Sequence, residues 1–297
     1  MNRRAPPPIA HLDSDVSRCA VQLCMALYEL PPARTIARYV AAGHRRLGEG
    51  LGSREGFVVL AVRVEPPDGD PLAGFRPLYN FTIGKRSLSS TEVTAELLKN
   101  ERRLLDDPVL RRMVAGAGRH RVFHGPDPRT VPALRTSVEV DYWNVRGVVD
   151  RLKAIHAIDQ RLELHVGFDR STGEPRFGRR EEALVEALVA GMRPWARRIA
   201  FLVGEAPARM SLTPREREAL CLLLGDLAQK QHAEALGLSS ARARELVRSV
   251  YRKIGVGSRV ELMARWYSAR GDAQRTPVRQ MPYRAARRPG PRGDERG

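Results

Sequence analysis

Cysteine is scarce in this chain of 297 residues: Cys19, Cys24 and Cys221 are the full set. Their spacing forms neither a paired zinc motif nor an even disulfide framework, so a stapled secreted domain is excluded as the organising principle. Long apolar runs are also missing. No stretch approaches the ~18 consecutive apolar residues of a membrane-spanning helix. The opening MNRRAPPPIAHLDSD lacks the apolar segment of a secretory signal. A cytoplasmic chain without a membrane partner is the expectation. Acidic residues are few beside basic ones, 34 against 51, giving a net charge of +17 and a pI near 10.8. An anionic partner suits that balance. The excess is spread out, however: residues 211–267 hold ten Lys/Arg and six Asp/Glu, and 270–297 hold eight Arg and three acids, so charge alone locates no interface.

The marks of catalysis are absent too. Gly43-His44 and the scattered glycines lack the Gly-Lys-Ser/Thr ending of a phosphate loop. No Ser/His/Asp, Cys/His or paired-carboxylate set stands out, so no catalytic residue and no cofactor are expected. His120, His124, His156 and His165 include no helical pair beside a carboxylate. His120 and His124 are four apart, but Gly116, Gly118 and Gly125 read as loop around them, and no metal site is expected. An early acidic pair, a strand-end Asp and a later strand-end Lys in regular βα repeats, which a phosphorylated receiver needs, are not found. Asp141-Tyr142-Trp143 is contiguous and does not reproduce the spaced Trp, Tyr and Asp set of acyl-homoserine-lactone pockets.

What is present concentrates between Leu212 and Leu262. Thr213, Pro214 and Glu216 form a capping box with proline at the first helical position, and Ala219, Leu220, Leu222, Leu223 and Leu224 carry that helix. A second helix fits Gln229 to Leu236, stopped by Gly237. Ser239 caps a third, whose Ala243, Leu246, Val247, Val250 and Ile254 share one face. Ser258 and Glu261 open a fourth, with Leu262, Met263, Trp266 and Tyr267 on one side. Along the third helix Arg244, Arg248 and Arg252 line one edge, flanked by Arg242 and Lys253. A short helix, a tight turn and a basic helix make a helix-turn-helix whose second helix enters a major groove of double-stranded DNA. The bland alternative is a solvated basic face.

These residues resemble the LuxR/GerE-type DNA-binding domain. The likeness runs without a gap through Leu212-Thr213-x-Arg215-Glu216-x-Glu218, Lys230, Ala233-Glu234, Leu236-Gly237-Leu238-Ser239, Tyr251-Arg252-Lys253-Ile254-Gly255-Val256 and Ser258-Arg259. It implies an all-α four-helix unit, with groove contacts from Arg244, Glu245 and Arg248 and phosphate contacts from Lys230, Ser239, Arg242, Arg252 and Arg259. It also implies a homodimer through the fourth helix, for which Trp266 and Tyr267 are the candidate interface residues; the alternative is that Trp266 closes its own core. Ala228, His232, Arg242-Ala243 and Gly225-Asp226 depart from the usual pattern. His232 falls where isoleucine is usual, and a neutral, hydrogen-bonded core histidine is the expectation there.

Upstream, residues 1–12 read as a leader and 13–203 as an α+β domain. The helices expected in it are Val16–Leu30, ended by Pro31-Pro32, then Thr35–Leu47, Ser89–Leu105, a short one from Asp107-Pro108, and one long helix from Arg179 to Val203 that Pro194 can kink. Strands fit Gly56–Val64, Gly74–Gly84, Lys153–Asp159 and Arg161–Arg170, with 120–135 irregular. The layout is similar to PAS/GAF-like sensor domains, which implies a small-molecule effector. Residues 204–210 read as a linker, 211–269 as the helix-turn-helix domain and 270–297 as a disordered basic tail. The expected function is a LuxR-family transcription regulator. A degenerate protein-binding domain, or an enzyme addressed to DNA, is the alternative.

Overall fold

The computed structural model describes residues 14–64, 74–84, 107–125, 147–203, 212–225, 227 and 229–268. Helix α1 spans Ser14–Tyr28 and stops before the two prolines. Helix α2 spans Ile36–Leu51, with the Thr35 hydroxyl accepting from the Arg38 N–H at 3.2 Å. It runs past the expected end at Leu47 to a left-handed cap at Gly52, and glycine is required within it: a Cβ at Gly48 would meet the Ser53 carbonyl at 2.2 Å and one at Gly50 would meet Leu23 at 2.6 Å.

Five strands form one antiparallel sheet in the order β2-β1-β5-β4-β3: β1 Glu55–Arg63, β2 Phe75–Ile83, β3 Arg121–His124, β4 Val148–Ala157 and β5 Leu162–Ser171. Helix α3, Pro108–Ala115, precedes β3, its first turn capped by Asp107, whose carboxylate accepts from the Val109 N–H at 2.9 Å. Helices α4, Arg179–Gly191, and α5, Arg193–Val203, follow the sheet.

Alternation divides the sheet into two faces. Val58, Leu60, Leu152, Ala154, Leu164, Val166 and Phe168 are buried in one core with residues of α1, α2, α4 and α5. The opposite face is charged yet buried. Arg151 binds Asp169 through Nε and Nη2 at 2.6 and 2.9 Å, both residues 2% exposed or less. Arg121 binds Glu163 through both guanidinium ends at 2.9 and 2.8 Å, and the Gly118 N–H donates to the same carboxylate at 2.8 Å. Burial pushes the Glu163 carboxyl up, but His165, Arg121 and the Gly118 N–H more than offset it and bring it down to about 2.

Two expectations fail here. Residues 121–124 are a strand, not irregular chain. Their pairing runs from Arg121 opposite Ile155 to His124 opposite Leu152, and so short an edge strand takes its form from that partner. The expected long helix is two. It breaks at Met192, and Pro194 falls in the first turn of α5, where its missing N–H costs nothing. The expected helix from Ser89, the Tyr142-Trp143 pair, the linker and the tail lie outside the described residues.

Candidate nucleic-acid interface

Four helices follow: α6 Pro214–Leu224, α7 Gln229–Leu236, α8 Ser240–Ile254 and α9 Arg259–Ser268. The expected bounds of α7 are matched residue for residue. The capping box on α6 is complete: the Thr213 hydroxyl accepts from the Glu216 N–H at 3.2 Å, and the Glu216 carboxylate accepts from the Thr213 N–H at 2.7 Å. Gly237 and Gly255 take positive φ, 64° and 71°, closing α7 and α8. The Ser239 hydroxyl accepts from the Arg242 N–H at 3.3 Å and starts α8. At α9 the Ser258 hydroxyl caps Glu261, but the Glu261 carboxylate takes the Gly257 N–H at 2.8 Å, one residue earlier than a capping box requires.

Helix α8 has the two faces expected of it. Ala243, Val250 and Ile254 are buried. Ser239, Arg242, Arg244, Glu245, Arg248 and Arg252 are exposed. Arg242 and Glu245 lie 3.6 Å apart at the surface, and Arg244 donates to the Ser240 carbonyl of its own helix at 3.1 Å. Such contacts are weak and leave the guanidinium groups available to another partner.

Glu216 does more than cap. It is 5% exposed and reaches α8, accepting from the Ser249 hydroxyl at 2.8 Å and from the Lys253 ammonium at 2.6 Å. Burial would raise its carboxyl, but Lys253, the Thr213 N–H and Ser249 hold it at about 2. This anchor fixes α8 against α6, and the exposed Arg252 donates to the same Ser249 hydroxyl at 3.4 Å. Sequence spacing showed Glu216 only as a capping residue and Lys253 only as a flanking cation. Their pairing spans 37 positions and no local pattern carries it.

Two site residues have partners inside the chain. Arg259 caps a helix. It donates to the carbonyls of Leu223 at 2.9 Å and Leu227 at 3.2 Å, and to that of Gly225, closing the C-terminal end of α6. Trp266 does not form an exposed patch with Tyr267. It is 1% exposed, with the Tyr39 ring edge-on at 5.3 Å, the Phe201 ring at 6.3 Å and the Arg198 guanidinium at 5.2 Å. These neighbours belong to α2 and α5, so α9 turns its aromatic side to the α+β part of the same chain. The side chains of Tyr267 and Lys230 lie outside the described residues.

His232 is buried, 3% exposed, but neither ring nitrogen makes a hydrogen bond of normal geometry among the described residues. Burial first, then the Arg259 guanidinium, holds it below its ordinary value, against the pull of the Leu227 and Leu222 carbonyls. Burial and the Arg259 charge both favour the neutral form expected from the sequence.

Residues 210–265 match the family described as bacterial regulatory proteins, luxR family (GerE). No curated protein matches the chain at a significant level. Among solved structures, the chain is similar to SdiA in complex with octanoyl-rac-glycerol, at 16% identity and a TM-score of 0.38, covering 87% of this chain and 97% of that one. It is likewise similar to a crystal structure of Escherichia coli SdiA, at 14% identity and a TM-score of 0.35, covering 84% and 95%. At TM-scores of this size the overlap runs along the chain without establishing a shared fold.

Proposed function

We propose that the chain is a transcription regulator of the LuxR type that docks α8 in the major groove of double-stranded DNA. One observation carries the reading: Arg244, Glu245, Arg248 and Arg252 share an exposed face of a helix whose other face is fixed by Ala243, Val250, Ile254 and the Glu216 anchor. Guanidinium groups on a rigid helix pair with guanine O6 and N7 or with phosphate. In this reading Arg244, Glu245 and Arg248 face bases, while Lys230, Ser239, Arg242 and Arg252 face phosphates.

The upstream α+β part is the sensor, of the PAS/GAF-like kind, and biases DNA binding in response to a small molecule or a partner. Its five-stranded antiparallel sheet, with α1, α2, α4 and α5 sharing the core of one face and α3 reaching Lys153 and Phe123 on the other, supports this. So does the buried charged row on the other face, where Arg151, Asp169, Lys153, Glu163 and Arg121 offer polar groups that a ligand can rearrange. The active species is a homodimer in the cytoplasm.

The test is a salt titration of DNA affinity on sites mapped by genome-wide capture with the purified protein. Arg248→Ala is expected to cost about 1–3 kcal/mol on a cognate site and to relax preference at one base pair, whereas Lys230→Ala weakens cognate and random DNA alike. Uniform losses from both variants would remove the assignment of roles. Absence of salt-dependent binding to any duplex would remove the reading itself.

A further inference from the structure

Helix α1 has a second face that the fold does not use. Its inner side, Val16, Ala20 and Leu27, is buried. On its outer side Val21, Met25 and Tyr28 are 59, 56 and 53% exposed, three of the four large apolar side chains more than half exposed among the described residues. They stand at i, i+4 and i+7, so they form one stripe. The ring of Tyr28 meets the Arg198 guanidinium on one side at 5.4 Å and stays half open on the other. An apolar centre with a charged rim is the composition of an association surface.

Charge along the helix selects the occupant. Arg18 lies at one end of the stripe and Glu29 at the other, both exposed. The Glu29 N–H still donates to the Met25 carbonyl at 2.9 Å, which keeps Glu29 on the helical path. Eleven residues advance the helix by just over three full turns, so Arg18 and Glu29 point within about 20° of each other. The Arg18–Asp15 contact, 3.5 Å with both side chains largely in solvent, does not commit Arg18.

From these features we propose that α1 pairs with α1 of a second copy, antiparallel, around a two-fold axis passing between Gln22 and Met25. That arrangement sets Arg18 of each copy against Glu29 of the other and gathers Val21, Met25 and Tyr28 of both at the axis. It makes two equivalent ion pairs from one surface, as an isologous contact requires. A parallel pair would set Arg18 against Arg18 and is disfavoured. The surface supplies the homodimer of the preceding reading, on which the proposal rests. It also replaces α9, whose Trp266 is buried within its own chain.

Sedimentation of the full-length protein without DNA tests this. The wild type is expected to dimerise. Arg18→Glu and Glu29→Arg are each expected to weaken the dimer by about tenfold or more, because the two-fold axis turns each reversal into two repulsive contacts. The double variant restores opposed charges and is expected to recover the dimer, which a merely misfolded chain cannot do. Met25→Glu, at the axis, is expected to be monomeric with unchanged far-ultraviolet circular dichroism. A monomeric wild type, single reversals that leave the dimer intact, or a double variant as weak as the singles each overturn the proposal. A dimer that appears only when residues 1–13 are deleted does so too, since that segment would then be the occupant. DNA binding is measured separately: a dimer that binds no DNA fails the regulator reading and leaves this surface standing, while a monomer that binds DNA fails this surface alone.

Discussion

Among the described residues, arginine side chains close four helices. Arg170 donates to the Leu51 and Gly52 carbonyls at the end of α2, and Arg198 to the Tyr28 carbonyl at the end of α1. Arg259 closes α6, and Arg265 donates to the Ile254 carbonyl at the end of α8. A cation at a helix C-terminus meets both unsatisfied carbonyls and the negative end of the dipole. Part of the net charge of +17 therefore serves the fold, not an anionic partner. Histidines divide in the opposite sense. His44 donates to the Gly167 carbonyl at 2.9 Å and His156 to the Val189 carbonyl at 2.7 Å, and burial lowers both to about 4. His124 lies between Asp150, 3.0 Å from Nε2, and Glu182, 2.6 Å from Nδ1, and its value is raised, chiefly by Asp150. The signs follow from linkage. For His44 and His156 the unfolded chain takes up protons from about pH 6.5 downward while the folded chain does not until about 4, so stability falls across that window. The His124 contribution is complete below about 6.5 and is lost as pH rises through its raised folded value. Urea unfolding from pH 4 to 8 is expected to show the acid limb shrink in His156→Gln and the slope above 6.5 shrink in His124→Gln. Unchanged limbs in both variants would contradict these assignments.

At the scale of elements, α8 is the one whose placement matters for function. Its N-cap, C-cap and apolar face are local, but its position against α6 depends on Glu216. Glu216→Gln keeps most of the cap yet leaves Lys253 without its carboxylate. A loss of about 1–3 kcal/mol in stability is expected, as for a buried charge-assisted hydrogen bond. Ser249→Ala removes one neutral donor and is expected to cost about 1 kcal/mol. Chemical denaturation measures both, and DNA affinity of Glu216→Gln is expected to fall more than its helicity does. Equal stability of wild type and Glu216→Gln would remove the anchor from this account. Strand β3 shows the reverse case: Val122 and Phe123 are too short a run among three neighbouring glycines to mark a strand, and pairing with β4 supplies it.

Across the whole molecule, the four-helix unit and the α+β part share one continuous core, joined at Trp266, Tyr39, Phe201 and Arg198. That junction packs the upstream part directly against α9, and through it against the helices α9 packs with. Trp266→Ala in the full chain is expected to cost about 3–5 kcal/mol, as other large-to-small core changes do. A fragment of residues 205–270 is expected to fold alone, on its four helices and its own apolar faces, but lacks Tyr39, Phe201 and Arg198. Trp266 is its only tryptophan, so its emission reports this site directly. Emission shifted to the red of a buried indole, with helicity retained, is the expected result. A fragment whose Trp266 emits as a buried ring would show that the four helices close over it without the rest of the chain.

Local chemistry was enough to read the four-helix unit. Caps, glycine stops and apolar faces act within one or two turns, so Thr213, Gly237, Ser239 and Gly255 mark helix ends without reference to anything distant. The same holds for the exposed arginines of α8, since a helix with one apolar face must present the other. Neither the Glu216–Lys253 anchor nor the use of Arg259 as a cap could be read this way, because each joins groups more than thirty positions apart. The burial of Trp266 is not legible locally for a related reason. Within the small helical unit an aromatic ring near its end has little to cover it, and only the packing of α9 against α2 and α5 supplies Tyr39 and Phe201. Which side of a helix is apolar is a local property. Which apolar side meets another part of the chain and which is left to a second copy is decided by tertiary packing, where burial is shared among elements that sequence spacing does not connect.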